Sequence, residues 1–512
     1  CFKMLASSTA ALVEGYRELG RVERLNVMSN VNGALRRSVL INMIGRYSNI
    51  AIQLVVTAIL ARALTPNEFG LMAVVSVIAV FLSFLSEMGL GPAVVQFREL
   101  VPRQLAGLFW LTIIVGIGAG GMLSFAGPTI SHFFGNDAYT AIANGIAVNI
   151  ALSCWAIVPL ALLRRRQRFG TIARLEVTSA ILSGLCAIWF AMNGGGVSAL
   201  VLKSTSNAFF IFVLCFVCAR PSLRSPTISK MGHIFSYSGY QFLFNIVNYF
   251  TRNIDKILIG KFFGSVQLGV YDMSYRLMLM PISNLTHVVT PAIQPIYAEH
   301  ANRPEIIFDS YRKLLRLLVI GGGFLGAICL GCAPEIISLG YGSQWMGAVP
   351  VFSILSLSVT IQVVLSSTGS VFQALGRTGM LLTTGIISTV TTVTAIAVGI
   401  YAGDLKTLSL LVVASFYSNA VQGFFILSRF GFQRSLKELF APCLRAIIGV
   451  IIVSLISIYL CDQIFFVGKN LLFSLFSKIL IIGGIYFLML CVTGDAMFLR
   501  RAIALRSKRV AT

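Results

Sequence analysis

The chain of 512 residues is 57% hydrophobic and only 11% charged, carries a formal net charge of +22 and has a mean hydropathy of +0.86. An ordinary soluble domain holds about a quarter charged residues, so a water-soluble globular fold is excluded. So is a nucleic-acid-binding protein, whose basic residues would gather on a polar domain that this chain lacks.

In chain order the sequence opens with a polar segment, 1–37, expected to lie in the cytoplasm. Residues 1–27 hold Arg and Glu and no apolar h-region, so they do not read as a signal peptide. Met28, opening "MSNVNGALRRSVL", reads as a more natural start, and what precedes it as non-native. Apolar runs of roughly 20 residues follow, each long enough to cross a hydrocarbon core of about 30 Å as a helix. The predicted spans are 38–61, 70–89, 107–127, 138–162, 171–192, 197–218, 238–260, 266–290, 313–333, 347–371, 379–402, 407–428, 442–463 and 471–493. The expected fold class is an all-α integral membrane protein of about fourteen transmembrane helices.

Basic residues alternate between the connections. Those after even-numbered spans hold Arg98 and Arg103, then Arg164, Arg165, Arg166 and Arg168, then Arg220, Arg224 and Lys230. Arg303, Arg312, Lys313 and Arg316 follow, then Arg377, then Arg429, Arg434 and Lys437. Connections after odd-numbered spans hold little beyond Arg62, Lys261, Lys406 and Lys469. By the positive-inside bias the poor set faces outward and both termini are cytoplasmic. The tail 496–512 is then a basic cytoplasmic segment against anionic lipid.

Ten cysteines are scattered mostly through apolar spans and imply no disulfide framework. Cys215/Cys218 and Cys329/Cys332 fall at opposite sides of the membrane, which rules out one four-thiolate metal site. They read as small apolar helix residues.

The chain also resembles itself at an offset of 199 residues. Aligning "LARALTPNEFGLM" (60–72) with "IGKFFGSVQLGVY" (259–271) superposes Arg62 on Lys261 and Phe69-Gly70 on Leu268-Gly269. In the first span Asn42, Arg46, Asn49 and Gln53 share one helical face, matched in the seventh by Gln241, Asn245, Asn248 and Arg252. An offset of six spans makes parallel repeats, a transporter architecture. The expected units are an N-lobe (38–218), a cytoplasmic inter-lobe loop (219–237), a C-lobe (238–430) and an accessory helix pair (431–495).

Polar stripes in a membrane must face protein or a water-filled cavity. The first and seventh spans are therefore expected to line an inter-lobe cleft, which Asp255, Lys256 and Arg276 join. With about 1.5 Å rise per residue, Arg252 and Arg276 lie within about 6 Å in depth and form a candidate clamp. Each intramembrane charge costs at least about 2.5–3.5 kcal/mol on insertion scales, which marks such residues as functional candidates. The blander reading, that Arg252 and Asp255 neutralise each other, leaves Lys256 and Arg276 unbalanced. Arg46 and Lys203 add to a cationic cavity whose ligand should be an anion, with guanidinium forks suited to phosphate oxygens. Glu87, and Glu176 beside Arg174, read as interfacial; Lys478 reads as a snorkelling lysine. No nucleotide loop, metal-ligand cluster or nucleophile-base pair appears, so neither an enzyme nor a tightly bound cofactor is expected.

The segment "LARALTPNEFGLMAVVSVIAVFLSFLSEMGLGPAVVQ", with "NYFTRNIDKILIGKFFGSVQLGVYDMSYRLMLMP", "YGSQWMGAVPVF" and "FQALGRTG", resembles the polysaccharide transporter branch, with its Wzx-type flippases. That branch belongs to the multidrug/oligosaccharidyl-lipid/polysaccharide exporter superfamily. The resemblance runs from about residue 38 to 440. It implies a flippase moving undecaprenyl-pyrophosphate-linked oligosaccharide repeat units across the bacterial cytoplasmic membrane, by alternating access, for exopolysaccharide, capsule or O-antigen synthesis. It further implies a pyrophosphate gripped by Arg252, Arg276 and Arg46, and a proton or sodium gradient as the possible drive. Membrane lipids, a polysaccharide polymerase and chain-length machinery are the expected neighbours. By analogy, spans 13 and 14 offer a groove for the polyprenyl tail. Competing readings are a peptidoglycan-precursor flippase, a cation-coupled drug exporter, which would favour acidic cavity groups, and a polytopic polymerase, which would need a larger extramembrane loop.

Overall fold

The structure is a computed structural model and describes residues 43–87, 90–97, 99–221, 223, 249, 253–301, 303–463 and 471–498. Its regular elements are helices, and no strand occurs among the described residues. The first half gives α1 (Met43–Ala63), α2 (Pro66–Glu87), α3 (Leu90–Gln96), α4 (Pro102–Phe134), α5 (Ala138–Arg165), α6 (Phe169–Met192) and α7 (Val197–Ala219). Next come α8 (253–262), α9 (Gly264–Ala298), α10 (Pro304–Gly331), α11 (Ala333–Tyr341), α12 (Ala348–Ser356), α13 (Val359–Leu365) and α14 (Thr368–Ala374). The chain continues with α15 (Thr378–Tyr401), α16 (Leu405–Ile426), α17 (Leu436–Phe440), α18 (Leu444–Gln463) and α19 (Leu471–Thr493).

Eleven helices among the described residues are long and apolar enough to cross a membrane. A twelfth is counted if Ala348–Ser356 and Val359–Ala374, bent by 45° at their break, act as one. The 35-residue α9 is longer than any of these but less apolar, and it carries Asp272 and Arg276. Most of the predicted seventh span lies outside the described residues, as do the polar segment 1–37 and the tail from 499 onward.

Local chemistry sets the helix ends. Proline occupies the first turn of α4, α10 and α11, where its missing N–H costs no helical bond. At the start of α2, Glu68 reaches back to accept from the Thr65 N–H at 2.6 Å and the Thr65 hydroxyl at 3.0 Å, capping its free end. Inside the spans, hydroxyls bond back to carbonyls of their own helix, as Ser86 does to Leu82 at 2.7 Å and Ser409 to Leu405 at 2.8 Å. Large apolar side chains such as Phe125, Trp189, Val390, Leu455 and Phe487 point outward. In water such a surface would be an aggregation liability; in lipid it is the ordinary outer face of a bundle.

Helices α1–α7 pack chiefly on one another, as do α9–α19, and the main contact between the two groups is α2 against α9. One buried apolar cluster runs through that contact, from Leu71, Val74 and Val75 of α2 to Leu268, Tyr271 and Met278 of α9, and on to Tyr311 and Phe352.

Candidate functional site

The two groups of helices are joined most tightly at one end of the bundle, here called the seam. The first turns of α2 and α9 cross so closely that a methyl group on Gly70 would run into the Ser265 carbonyl oxygen, and one on Gly269 into that of Pro66. These are the two glycines superposed by the 199-residue offset, so only residues without a Cβ allow this approach. The Ser265 hydroxyl bonds to Asn67 Oδ1. Arg62, at the end of α1, donates to the Leu339 carbonyl at 2.6 Å. Its repeat-related counterpart Lys261 donates to the Phe133 carbonyl and lies 4.4 Å from the centre of the Phe133 ring. Gln344 donates to the Ala61 and Leu64 carbonyls, and Trp345 Nε1 to Ala61 at 2.8 Å. Gly342, at φ 101°, turns the chain so that these two side chains reach α1.

Deeper in the bundle, about six to twelve residues and thus roughly 9–18 Å along the helices from the seam, lies a cluster of charges. Asp272 on α9 is its hub. Its carboxylate forms an ion pair with Lys256 Nζ of α8 at 2.9 Å and accepts from Arg276 Nε, one turn along its own helix, at 2.7 Å. The Asp272 side chain is 5% exposed and that of Arg276 58%. Asp255 is buried beside it and accepts from the Tyr271 hydroxyl at 3.1 Å and the Lys256 backbone N–H at 2.8 Å. Lys203 of α7 donates to Thr57 of α1 at 3.2 Å and is close enough to Arg276 for their charges to interact.

This arrangement corrects one sequence argument. Lys256 and Arg276 are not left unbalanced, because Asp272, which the sequence reading did not single out, pairs with both. Its spacing of four from Arg276 is the signal that could have found it. Of the expected clamp, Arg276, Lys256, Asp255 and Lys203 come together, whereas Arg252, Asn245 and Asn248 lie outside the described residues.

Arg46, Asn49 and Gln53 line a second cavity, of about 460 Å³, between α1 and α6. Arg46 is 16 residues from Arg62, or about 24 Å farther from the seam. Arg164, at the end of α5, and Glu176 of α6 share this cavity. Glu176 therefore lies with Arg46 and Arg164 around this cavity, while Arg174 donates to the Gly170 carbonyl at 3.2 Å. The polar stripe of α1 thus faces α6 near the end opposite the seam, apart from the Asp272 cluster.

The last helix is anchored at both ends. Lys478 is wholly buried and pairs with Glu335 of α11 at 2.6 Å, while Ser474 donates to the same carboxylate at 2.9 Å. It does not snorkel. Beyond the other end of α19, buried Asp495 pairs with Arg316 of α10 at 2.5 Å, and midway the Tyr486 hydroxyl donates to the Ile320 carbonyl at 2.6 Å. An apolar cavity of about 310 Å³ lies between α10, α12, α13, α16 and α18, lined among others by Leu330, Ile361, Val364, Tyr417 and Ile451. Span 13 contributes to it through α18, and span 14 supplies none of its lining residues. Among the described residues no three His, Cys, Asp or Glu gather as metal ligands.

The model of a family described as "Polysaccharide biosynthesis protein" matches residues 59–350, more than half of the chain. The protein belongs to that family. Relatives with curated names include the teichuronic acid biosynthesis protein TuaB of Bacillus subtilis, 26% identical over 64% of this chain and 68% of TuaB. The lipopolysaccharide biosynthesis protein WzxC of Escherichia coli is 21% identical over 68% and 72%. The succinoglycan biosynthesis transport protein ExoT of Rhizobium meliloti is 24% identical over 71% and 74%. Among solved structures, the lipid II flippase MurJ in an inward closed conformation superposes with a TM-score of 0.66 at 12% identity, covering 91% of this chain and all of MurJ. An inward-facing multidrug resistance transporter of the same superfamily superposes with a TM-score of 0.52 at 15% identity, covering 73% and 93%. The fold of this chain is thus the one seen in those exporters, and its long apolar helices make it a multi-pass membrane protein.

Proposed function

We propose that the protein is a flippase that carries undecaprenyl-pyrophosphate-linked oligosaccharide repeat units from the cytoplasmic to the outer leaflet of a bacterial cytoplasmic membrane, supplying exopolysaccharide, capsule or O-antigen assembly. The observation that carries this reading is the charge cluster of Lys203, Lys256 and Arg276 within the membrane-spanning bundle. Set against the two buried carboxylates Asp255 and Asp272, these three cations leave the cluster net positive with Arg276 58% exposed, and a phosphate anion is the partner their donors suit. The curated names of the relatives point the same way.

The seam carries the lysine- and arginine-poor connections and so faces outward under the positive-inside bias, with both termini in the cytoplasm. With the seam shut, cargo enters from the cytoplasmic side, past Arg46 and Arg164; rocking of the lobes then opens the outer face. The prenyl tail, too apolar for that path, occupies the cavity beside α18. Buried Asp255 and Asp272 support a proton or sodium gradient as the drive, and a polymerase with its chain-length machinery takes up the cargo outside.

In cells lacking the protein but retaining the sugar-assembly enzymes, lipid-linked repeat units should accumulate on the cytoplasmic leaflet and surface polymer should disappear. Arg276→Ala and Arg252→Ala should reproduce that loss with the protein still inserted. Normal polymer export by both variants sinks the anion-clamp reading.

A further inference from the structure

Within the flippase reading, we propose that Asp272 is an internal counter-anion that competes with the cargo's phosphate for Arg276 and Lys256 and so lets the site release what it has bound. A transport site must hold its ligand firmly enough to load and weakly enough to unload. Two cations and a diphosphate in a poorly hydrated cleft would meet the first demand and fail the second. Asp272 supplies the missing opposition. It sits on the same helix as Arg276, one turn away, so its effective concentration at that guanidinium stays high in every conformation that keeps α9 intact.

The geometry fits competition better than plain neutralisation. Asp272 is buried at the back of the cluster, 5% exposed, and engages Arg276 through Nε, while the Arg276 side chain is 58% exposed. Lys256 is held from the other side at 2.9 Å and is 17% exposed. An anion approaching from the exposed side of Arg276 therefore meets the guanidinium opposite the buried Asp272 carboxylate. Asp255 does not serve this purpose: its carboxylate accepts from the Tyr271 hydroxyl and the Lys256 backbone N–H, groups that stay in place when cargo arrives. When the cargo's phosphate takes Arg276 and Lys256, Asp272 loses its partners; when the phosphate leaves, Asp272 recaptures both. The empty transporter then returns with its charges paired, which lowers the cost of moving them through the membrane interior.

The test is binding of farnesyl diphosphate, a soluble prenyl diphosphate, to the full-length protein in nanodiscs, alongside polymer export in cells. Asp272→Asn keeps the side-chain shape and removes the charge. It should bind the probe about tenfold more tightly or better, about 1.4 kcal/mol for each factor of ten, and export more slowly. A purely structural role for Asp272 would weaken binding and export together. Because Asp272→Asn leaves two cations uncompensated, a second pair guards against a folding defect. The double variant Lys256→Gln/Asp272→Asn, which preserves net charge, should bind more tightly than Lys256→Gln alone. Failure of both comparisons, with wild-type binding intact, overturns the counter-anion role and leaves the flippase reading standing. A wild-type protein that does not bind the probe, in cells whose lipid-linked sugars are normally distributed, removes both.

Discussion

The seam and the anchorage of α19 are both joints between helices, yet they are built from different interactions. At the seam, Arg62 and Lys261 end on backbone carbonyls, Gln344 and Trp345 likewise, and the crossing itself is bare glycine backbone. Arg62 and Lys261 are exposed and Gln344 and Trp345 are neutral, so separating the two sides strands no buried charge. At α19, Lys478–Glu335 and Arg316–Asp495 are ion pairs whose members include three side chains at most 3% exposed. Pulling those apart would leave uncompensated charges inside protein or lipid. Under the proposed alternating access, the seam is the joint that parts and the α19 anchorage the one that stays, so α19 should move with α10 and α11 as a single body. The last two spans are then less an accessory hairpin than a strap on the second group of helices.

The largest expected effect follows from the permanent joint. Glu335→Ala or Lys478→Ala should each cost about 3–5 kcal/mol, because either leaves its partner charged and buried. Thermal unfolding in nanodiscs would read this directly. Replacing both at once, Glu335→Leu with Lys478→Met, should recover most of that loss, since an apolar pair of similar volume carries no desolvation penalty. If the single variants are as stable as wild type, the strap is not held by charge.

The parting joint predicts a smaller, functional effect. Asn67→Cys with Ser265→Cys places two thiols where those side chains now touch across the seam. Oxidation should lock the seam and stop polymer export, and a reductant should restore it. Export that continues through the locked form would mean that the seam does not open during transport.

How much of this was readable beforehand depends on how far apart the interacting residues lie in the chain. The helical membrane fold follows from composition and run length, and the seam glycines and cations from the 199-residue offset that superposes Gly70 on Gly269 and Arg62 on Lys261. Asp272 with Arg276 was within reach, since four-residue spacing brings them together on any helix. Lys256 with Asp272 was not, because it needs the turn between α8 and α9 to bring two helices side by side. Glu335 with Lys478 is farther still: 143 residues separate them, and a lone lysine in an apolar run reads equally well as snorkelling until its partner helix is placed. Arg164 keeps its place among the basic residues at the end of α5, and that it also lines a cavity with Arg46 depends on bringing together residues 118 apart in the chain.

The finest test of the contrast is at Gly70 and Gly269. Gly70→Ala adds one methyl group where the Ser265 carbonyl now sits, and Gly269→Ala does the same against Pro66. Both neighbours are backbone, so no side-chain rotamer can relieve the clash, and overpacking of this kind costs about 1–3 kcal/mol. At the α19 joint that cost would appear as lost stability. At the seam it should fall on the closed arrangement alone, because once the two sides part the added methyl meets nothing. Either variant should therefore unfold near the wild-type temperature while a cysteine at Asn67 becomes more reactive toward a membrane-impermeant thiol reagent added from outside. Unchanged reactivity with a lowered unfolding temperature would reverse the assignment and make the seam a fixed joint as well.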